Sequence, residues 1–277
     1  MTMLRAACVQ MRATTQVAPN IAAASDLIRK AAGEGAQFIA TPEMTNLLDI
    51  RPGQARPKIT AESDDACLKA LSALAAELQV TLLIGSIAVT LPGETRLANR
   101  SFLIAPDGQV MARYDKIHMF DVEVGDGQSY RESRAYKPGE EVVLARAPFG
   151  AVGLTICYDV RFARLYRQLA QAGADILTIP AAFTRVTGQA HWHVLVRARA
   201  IETGCFVLAP TQGGHHDDGR ETYGHSLIVS PWGEVLAEAD HAEPGIILAD
   251  LDLAEVAKAR ARIPAWQNDQ AFGFDRK

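Results

Sequence analysis

The 277-residue chain contains no apolar run near the roughly 18 residues that a membrane-spanning helix requires, so no membrane-embedded segment is expected. Its first residues, Met1-Thr2-Met3-Leu4-Arg5-Ala6, enter a strand-like run at once, without the charged and apolar regions of a secretory leader. A surplus of positive charge is also missing. The formal net charge is -4, which argues against a nucleic-acid partner. Cysteine is scarce: Cys8, Cys67, Cys157 and Cys205 show no CxxC spacing, and each sits among apolar residues. They read as free thiols in a reducing, cytoplasmic setting rather than as a disulfide or metal framework. No Pro/Gly/Ser-rich linker interrupts the chain. One domain is therefore expected over residues 1–277, with its core in about 1–265 and an irregular tail over 266–277.

What is present is an ordinary globular balance, with 48% hydrophobic and 22% charged residues, long enough to bury a large core. Apolar runs and 3.6-residue periodicities alternate along the chain. Strands are expected over Leu4–Met11, Ala36–Thr41, Val80–Ile84, Ala151–Ile156, Ile176–Ile179, Phe206–Ala209 and Ile246–Ala249. Helices are expected over Ile21–Ala32, Ser63–Leu78, Arg161–Ala172, about Gln189–Thr203 and Asp252–Arg262. A polar loop is expected over about Asp115–Gly139.

The chain also repeats itself. Ser101 to Ala112, a hairpin signal around Pro106-Asp107-Gly108, matches Ser226 to Ala237 around Pro231-Trp232-Gly233. Gly35-Ala36 to Pro42 matches Gly173-Ala174 to Pro180 in the same way. Each half thus carries strand, helix, strand, helix, strand, hairpin. The simplest product is an α/β fold with two sheets face to face and helices outside, an α-β-β-α sandwich of two pseudo-repeated halves. The halves differ at one telling place: Glu43 follows Pro42, whereas Ala181 follows the matching Pro180.

Cys157 ends an apolar run, and a helical pattern of Phe162, Leu165, Tyr166 and Leu169 follows it. A strand-to-helix turn is expected there. Helix N–H groups would favour a thiolate and donate to an oxyanion. Read alone, such a cysteine is more often a core residue. A nucleophile also needs a base. The seven histidines carry no protease-like signature. His191 and His193 fall on opposite sides of a helix start, and His215-His216 lie in a polar loop with Asp217 and Asp218, so no metal site is expected. A carboxylate whose pKa is raised in a dry pocket can serve instead, and Glu43 is the best-placed glutamate. Lys116 could supply a cation to an oxyanion.

Three segments carry a resemblance. Thr41-Pro42-Glu43-Met44, Tyr114-Asp115-Lys116-Ile117-His118 and Ile156-Cys157-Tyr158-Asp159-Val160-Arg161-Phe162 resemble the three signatures of the nitrilase superfamily of carbon–nitrogen hydrolases. The likeness runs from Val9-Gln10-Met11 to Asp250-Leu251-Asp252. It implies a Glu–Lys–Cys triad: Glu43 as general base, Lys116 as oxyanion stabiliser and proton donor, and Cys157 as nucleophile. Glu132 matches a further family glutamate that helps position substrate. Tyr158, Phe183 and Thr187, in matching segments, are implied at the substrate site. The resemblance also implies the α-β-β-α sandwich, a homodimer or higher homo-oligomer, and no metal or organic cofactor.

Within the superfamily, the segments around Cys157 and Lys116 resemble the ω-amidase group. The segments 197–204, 213–216 and 222–226 resemble its deaminated-glutathione amidase branch. The implied activity is hydrolysis of the amide bond of a small carboxylate-bearing substrate through a thioester. Deaminated glutathione is the first expectation, and α-ketoglutaramate or another small amide the alternative. Arg161 is the expected partner of the substrate carboxylate, and Arg185 a weaker one. Gln189 stands where the branch usually has proline, and Ala13–Pro19 lacks the acidic residue common after the first strand. A nitrilase is disfavoured by Tyr158-Asp159, where nitrilases usually carry Trp-Glu. An N-carbamoyl hydrolase and a catalytically inactive binding protein are the remaining alternatives.

Overall fold

The computed structural model describes residues 3–51, 53–125 and 129–275. The first half of the chain contributes β1 (Met3–Gln10), α1 (Val17–Gly33), β2 (Phe38–Ala40), α2 (Ala66–Leu78), β3 (Thr81–Thr90), β4 (Leu97–Ile104) and β5 (Val110–Asp115). A short hairpin of β6 (Asp121–Glu123) and β7 (Ser129–Arg131) follows. The second half contributes β8 (Val143–Ala147), β9 (Gly150–Leu154), α3 (Ala163–Gln171), β10 (Ile176–Thr178), α4 (Arg185–Thr203) and β11 (Phe206–Ala209). Next come β12 (Gly213–His215), β13 (Glu221–Tyr223), β14 (Leu227–Val229), β15 (Val235–Glu238), β16 (Gly245–Asp252) and α5 (Ala254–Arg262).

Two six-stranded sheets result, with orders β16-β1-β2-β3-β4-β5 and β15-β14-β11-β10-β9-β8. In each, three parallel strands form the centre: β1, β2 and β3 in one, β9, β10 and β11 in the other. In each, an antiparallel strand flanks the first of these, and an antiparallel hairpin extends from the third. The two halves therefore share one topology, as the repeated hairpin motif requires. Successive side chains of a strand face opposite ways, and β1 shows the layering. Ala6 and Cys8 pack in a core with Val152, Leu154 and Ile176 of the second sheet, while Ala7 and Val9 pack with Ile28 of α1 and Leu71 of α2. Trp192 and Val196 of α4 join the first of these cores.

Several boundaries differ from expectation. The helix expected over Arg161–Ala172 is α3, and Cys157–Arg161 forms a separate 3-10 turn before it. Helix α4 begins four residues before Gln189, because the Thr184 side chain accepts from the Thr187 N–H and caps it. Helix α2 starts at Ala66 rather than Ser63, since Asp65 accepts from the Leu68 N–H. The loop expected over Asp115–Gly139 contains β6 and β7; its residues 126–128 lie outside those described. Strands β8, β12 and β13, too short or too polar to show alternation, were not expected from the sequence.

The sheets meet closely where β2 and β10 end, beside the bulge in the middle of β3. A Cβ on Gly85 would stand 2.0 Å from the Thr41 carbonyl oxygen, 2.5 Å from the Pro42 carbonyl oxygen and 2.5 Å from Pro180 Cβ. Backbone and proline cannot give way as a flexible side chain does. Gly85→Ala is accordingly expected to lower unfolding free energy by about 3 kcal/mol or more and to displace Glu43. Gly33→Ala, with open space around it, should change stability by less than about 1 kcal/mol. Urea denaturation of both variants checks this; an unperturbed Gly85→Ala protein would contradict it.

Candidate active site

Glu43, Lys116 and Cys157 each lie just beyond the C-terminal end of a strand, β2, β5 and β9 respectively. The ends of parallel strands are where α/β sheets form crevices, and the three side chains converge in one. All three are buried. The Lys116 ammonium donates to Glu43 Oε1 at 2.9 Å and to Glu132 Oε1 and Oε2 at 3.0 and 2.9 Å. Glu132, in the 3-10 turn after β7, thus holds the lysine, and it also lines the cavity. Each carboxylate oxygen has further donors. The Ala182 N–H donates to Glu43 Oε2 at 2.9 Å, and the Phe120 N–H to Glu132 Oε2 at 2.7 Å. The Asn99 amide donates to Glu43 Oε1 at 2.9 Å and to Glu132 Oε1 at 3.3 Å.

The backbone around the reactive groups is constrained. Cys157 has φ +49° and Met44 has φ +57°, both left-handed conformations that side-chain-bearing residues rarely adopt. The Cys157 N–H donates to the Pro180 carbonyl at 2.9 Å, and the Met44 N–H to Ser86 Oγ at 2.9 Å. Gln212 Nε2 donates to the Glu43 carbonyl at 3.0 Å. Buried Asp159 anchors the turn after Cys157. Its Oδ2 accepts from the Ile156 N–H at 2.8 Å and the Tyr114 hydroxyl at 2.7 Å. Its Oδ1 meets His118 Nδ1 at 2.7 Å, and the His118 ring stacks on Phe162 with centroids 3.5 Å apart.

Electrostatics correct two expectations. Burial pushes the Cys157 thiol well up, and the neighbouring Glu43 charge adds to this; Lys116 opposes both without prevailing. The resting group is a thiol rather than the thiolate expected. A five-residue 3-10 turn, not an α-helix, begins at Cys157, so little helix dipole opposes that cost. Burial alone would raise Glu43, but the Lys116 charge and hydrogen bonds from Lys116 and Asn99 bring it below the usual carboxylate range. Its pKa is therefore lowered, not raised as a dry pocket alone would do. Burial would likewise lower Lys116, yet Glu132 and Glu43 hold it well above its ordinary value. At neutral pH the site contains an ionised Glu43, an ammonium and a neutral thiol.

These groups form one end of a cavity of about 640 Å³. Tyr158, Phe183 and Thr187 line it, together with Met44, Leu47, Phe120 and Tyr136. Arg161 and Arg185 do not. Arg161 Nη2 lies 3.2 Å from His191 Nδ1 and faces a neighbouring groove of about 440 Å³ that shares Phe120, Tyr158 and Thr187 with the cavity. It pairs with neither Asp159 nor Glu202, which are engaged by His118 and Arg199. Exposed Arg185 pairs with Glu221 at 3.0 Å. The guanidiniums that reach the cavity are instead Arg51, Arg56, Arg131, Arg134 and Arg220. Arg220 pairs with Asp218 at 3.2 Å; among the described residues Arg56 and Arg134 make no ion pair.

The fold and this cluster define a class: a hydrolase-type α-β-β-α sandwich with a thiol, a carboxylate and an ammonium in one cavity. The chain belongs to the carbon–nitrogen hydrolase family, whose profile matches residues 5–261. It is 41% identical to the deaminated glutathione amidase of Synechocystis sp., over 95% of this chain and 97% of that protein. It is 35% identical to omega-amidase NIT2 of Homo sapiens, over 98% and 96%. The crystal structure of Saccharomyces cerevisiae Nit3, described as a member of branch 10 of the nitrilase superfamily, superposes with a TM-score of 0.85. That likeness is at 28% identity and covers 95% of this chain and 94% of that one. The chain is thus a hydrolase of carbon–nitrogen bonds, as the sequence motifs implied.

Asn99, Asp159 and Ser86 escaped sequence reasoning because polar residues inside or beside strands carry no positional signal. Asn99, like Lys116, hydrogen-bonds both glutamates. Asn99→Leu, which keeps the volume and removes both donors, is expected to lower kcat on a simple amide by about ten- to hundredfold and to lower the melting temperature by a few degrees, because buried carboxylates lose a donor. Steady-state kinetics beside a thermal melt check this; an unchanged kcat would remove Asn99 from the positioning of the glutamates.

Proposed function

We propose that the protein hydrolyses the amide bond of a small carboxylate-bearing substrate, deaminated glutathione in the first place, through a thioester on Cys157. The observation that carries the reading is the convergence of Glu43 and Lys116 on the buried Cys157 thiol at the end of a closed-in cavity.

Because the resting thiol is protonated and Glu43 ionised, attack and proton transfer are coupled. Sγ bonds to the amide carbon while its proton passes to Glu43. The carbonyl oxygen gains the negative charge beside the Lys116 ammonium and the Tyr158 N–H. As the tetrahedral intermediate collapses, the C–N bond breaks and the leaving amine takes the proton from Glu43. Glu43 then draws a proton from water, which attacks the thioester. The second collapse releases the carboxylic acid, and the thiol regains its proton. Glu132 acts as a positioning residue here, through its bonds to Lys116. No step requires a metal or an organic cofactor.

The relatives and the cavity support the substrate class. Deaminated glutathione is an extended molecule with a carboxylate at each end. A cavity of about 640 Å³ whose walls carry the unpaired guanidiniums of Arg56 and Arg134 suits it better than a compact amide. Hydrolysis of α-ketoglutaramate is the second reading, favoured by the likeness to omega-amidase NIT2. A homodimer is also part of the proposal. That part rests on the resemblance to the family alone. No helix among the described residues is long and apolar enough to cross a membrane.

The test is a panel of deaminated glutathione, α-ketoglutaramate, propionamide and a nitrile, with wild type, Cys157→Ala, Glu43→Gln and Arg134→Ala. Cys157→Ala and Glu43→Gln are expected to lose turnover of every substrate. Arg134→Ala should raise KM for deaminated glutathione about tenfold or more, the worth of one charge-assisted hydrogen bond, and leave propionamide unchanged. Preference for α-ketoglutaramate would replace the first substrate by the second. Full turnover by Cys157→Ala would end the mechanism.

A further inference from the structure

One cluster of ligand-type side chains lies outside the active-site cavity. His193 belongs to α4, His225 precedes β14, and Glu238 ends β15. His193 Nε2 lies 2.9 Å from Glu238 Oε1, and His225 Nδ1 lies 3.2 Å from the same oxygen. One donor atom from each of the three residues falls within 4.8 Å of the other two. Around a tetrahedral ion with bonds of about 2.0–2.2 Å, ligand atoms stand roughly 3.3–3.5 Å apart. The two separations from Glu238 fall within a few tenths of an ångström of that edge, and the two histidine donors lie within 4.8 Å of each other.

The donors are held before any ion arrives. His225 has φ +58°. Its carbonyl accepts from Trp192 Nε1 at 2.9 Å, and its N–H donates to the His241 carbonyl at 3.3 Å. Its ring stacks on Tyr223 with centroids 4.1 Å apart. Trp192, the chain neighbour of His193, is fully buried, and its bond ties the backbone of His225 to α4. Among the described residues, Glu238 forms ion pairs only with these two histidines. No lysine or arginine competes for its charge. The side chains of His193 and Glu238 are 35% and 29% exposed, which leaves an open path from solvent.

We propose that His193, His225 and Glu238 bind one borderline divalent transition ion, Zn2+ above all, with the fourth position open to solvent. Two imidazole nitrogens and one carboxylate oxygen suit Zn2+, Co2+ or Ni2+ and disfavour Mg2+ and Ca2+, which take oxygen ligands. The ion ties α4 to the β14–β15 hairpin. Its role is to hold the helix whose first turn places Thr187 at the cavity; it takes no part in the reaction. The sequence alone hid the site, because its ligands come from three elements and only His193 belongs to a visible histidine pair.

The experiment uses full-length Cys157→Ala protein, which removes the active-site thiol as a competing ligand, stripped with chelator and titrated with Zn2+ by calorimetry at neutral pH. One ion per chain is expected, together with a rise in melting temperature. Glu238→Gln and His193→Ala should each weaken binding by more than about a hundredfold, beyond what loss of an outer-shell partner costs. They should also remove the rise in melting temperature, while melting like the parent in chelator. His215→Ala, in an exposed loop, should bind like the parent. Absence of bound Zn2+, undiminished affinity in Glu238→Gln and His193→Ala, or loss of binding in His215→Ala would each overturn the proposal.

Discussion

The structure depends on one buried ammonium held between two carboxylates. Lys116 donates to Glu43 and Glu132 in the wall of the cavity, and its own burial opposes its charge. Taking these ions out of water costs several kcal/mol each, and Coulomb attraction offsets it only where the remaining lone pairs are satisfied. Here they are. The Asn99 amide and the Phe120 and Ala182 N–H groups complete the two carboxylates. Lys116 follows β5 of the first sheet, Ala182 follows β10 of the second, and Phe120 and Glu132 flank the small β6–β7 hairpin. The cluster is therefore also a joint between the two sheets.

That joint explains the state of the nucleophile. Glu43 is held ionised beside the Cys157 thiol. A thiolate would add a second negative charge to the same buried space, so Cys157 keeps its proton. In the proposed reaction, transfer of that proton to Glu43 as the sulfur attacks keeps the total charge of the site constant, with the new negative charge forming on the substrate oxygen. In this account the enzyme gains little from a reactive thiolate. It gains from a base fixed beside the thiol and a cation fixed beside the developing oxyanion.

What was legible in the sequence follows from where each signal resides. The two-sheet sandwich could be read because duplication writes the same hairpin twice, at 101–112 and 226–237, and the sheets repeat one strand order. Glu43, Lys116 and Cys157 could be read because each stands in a short motif after an apolar run. Asn99 could not, since a polar residue in β4 looks like any residue facing solvent, and only the fold shows that it is buried between two glutamates. The arginines of the cavity were hidden for a related reason. Arg161 was favoured for its nearness to Cys157 in the chain, but the 3-10 turn carries it to the neighbouring groove. Arg134, on the turn that carries Glu132, reaches the cavity instead. Protonation states were misjudged because a sequence shows neither burial nor the pairing that counters it.

Cys157 rests as a thiol beside an ionised Glu43. This state is tested most directly by the thiolate ultraviolet absorbance of Cys157, taken as the difference between wild type and Cys157→Ala across a pH titration. The account predicts no thiolate signal from this residue up to about pH 8.5, the ordinary cysteine value, because burial and Glu43 both raise its pKa. A thiolate already formed at neutral pH would contradict it.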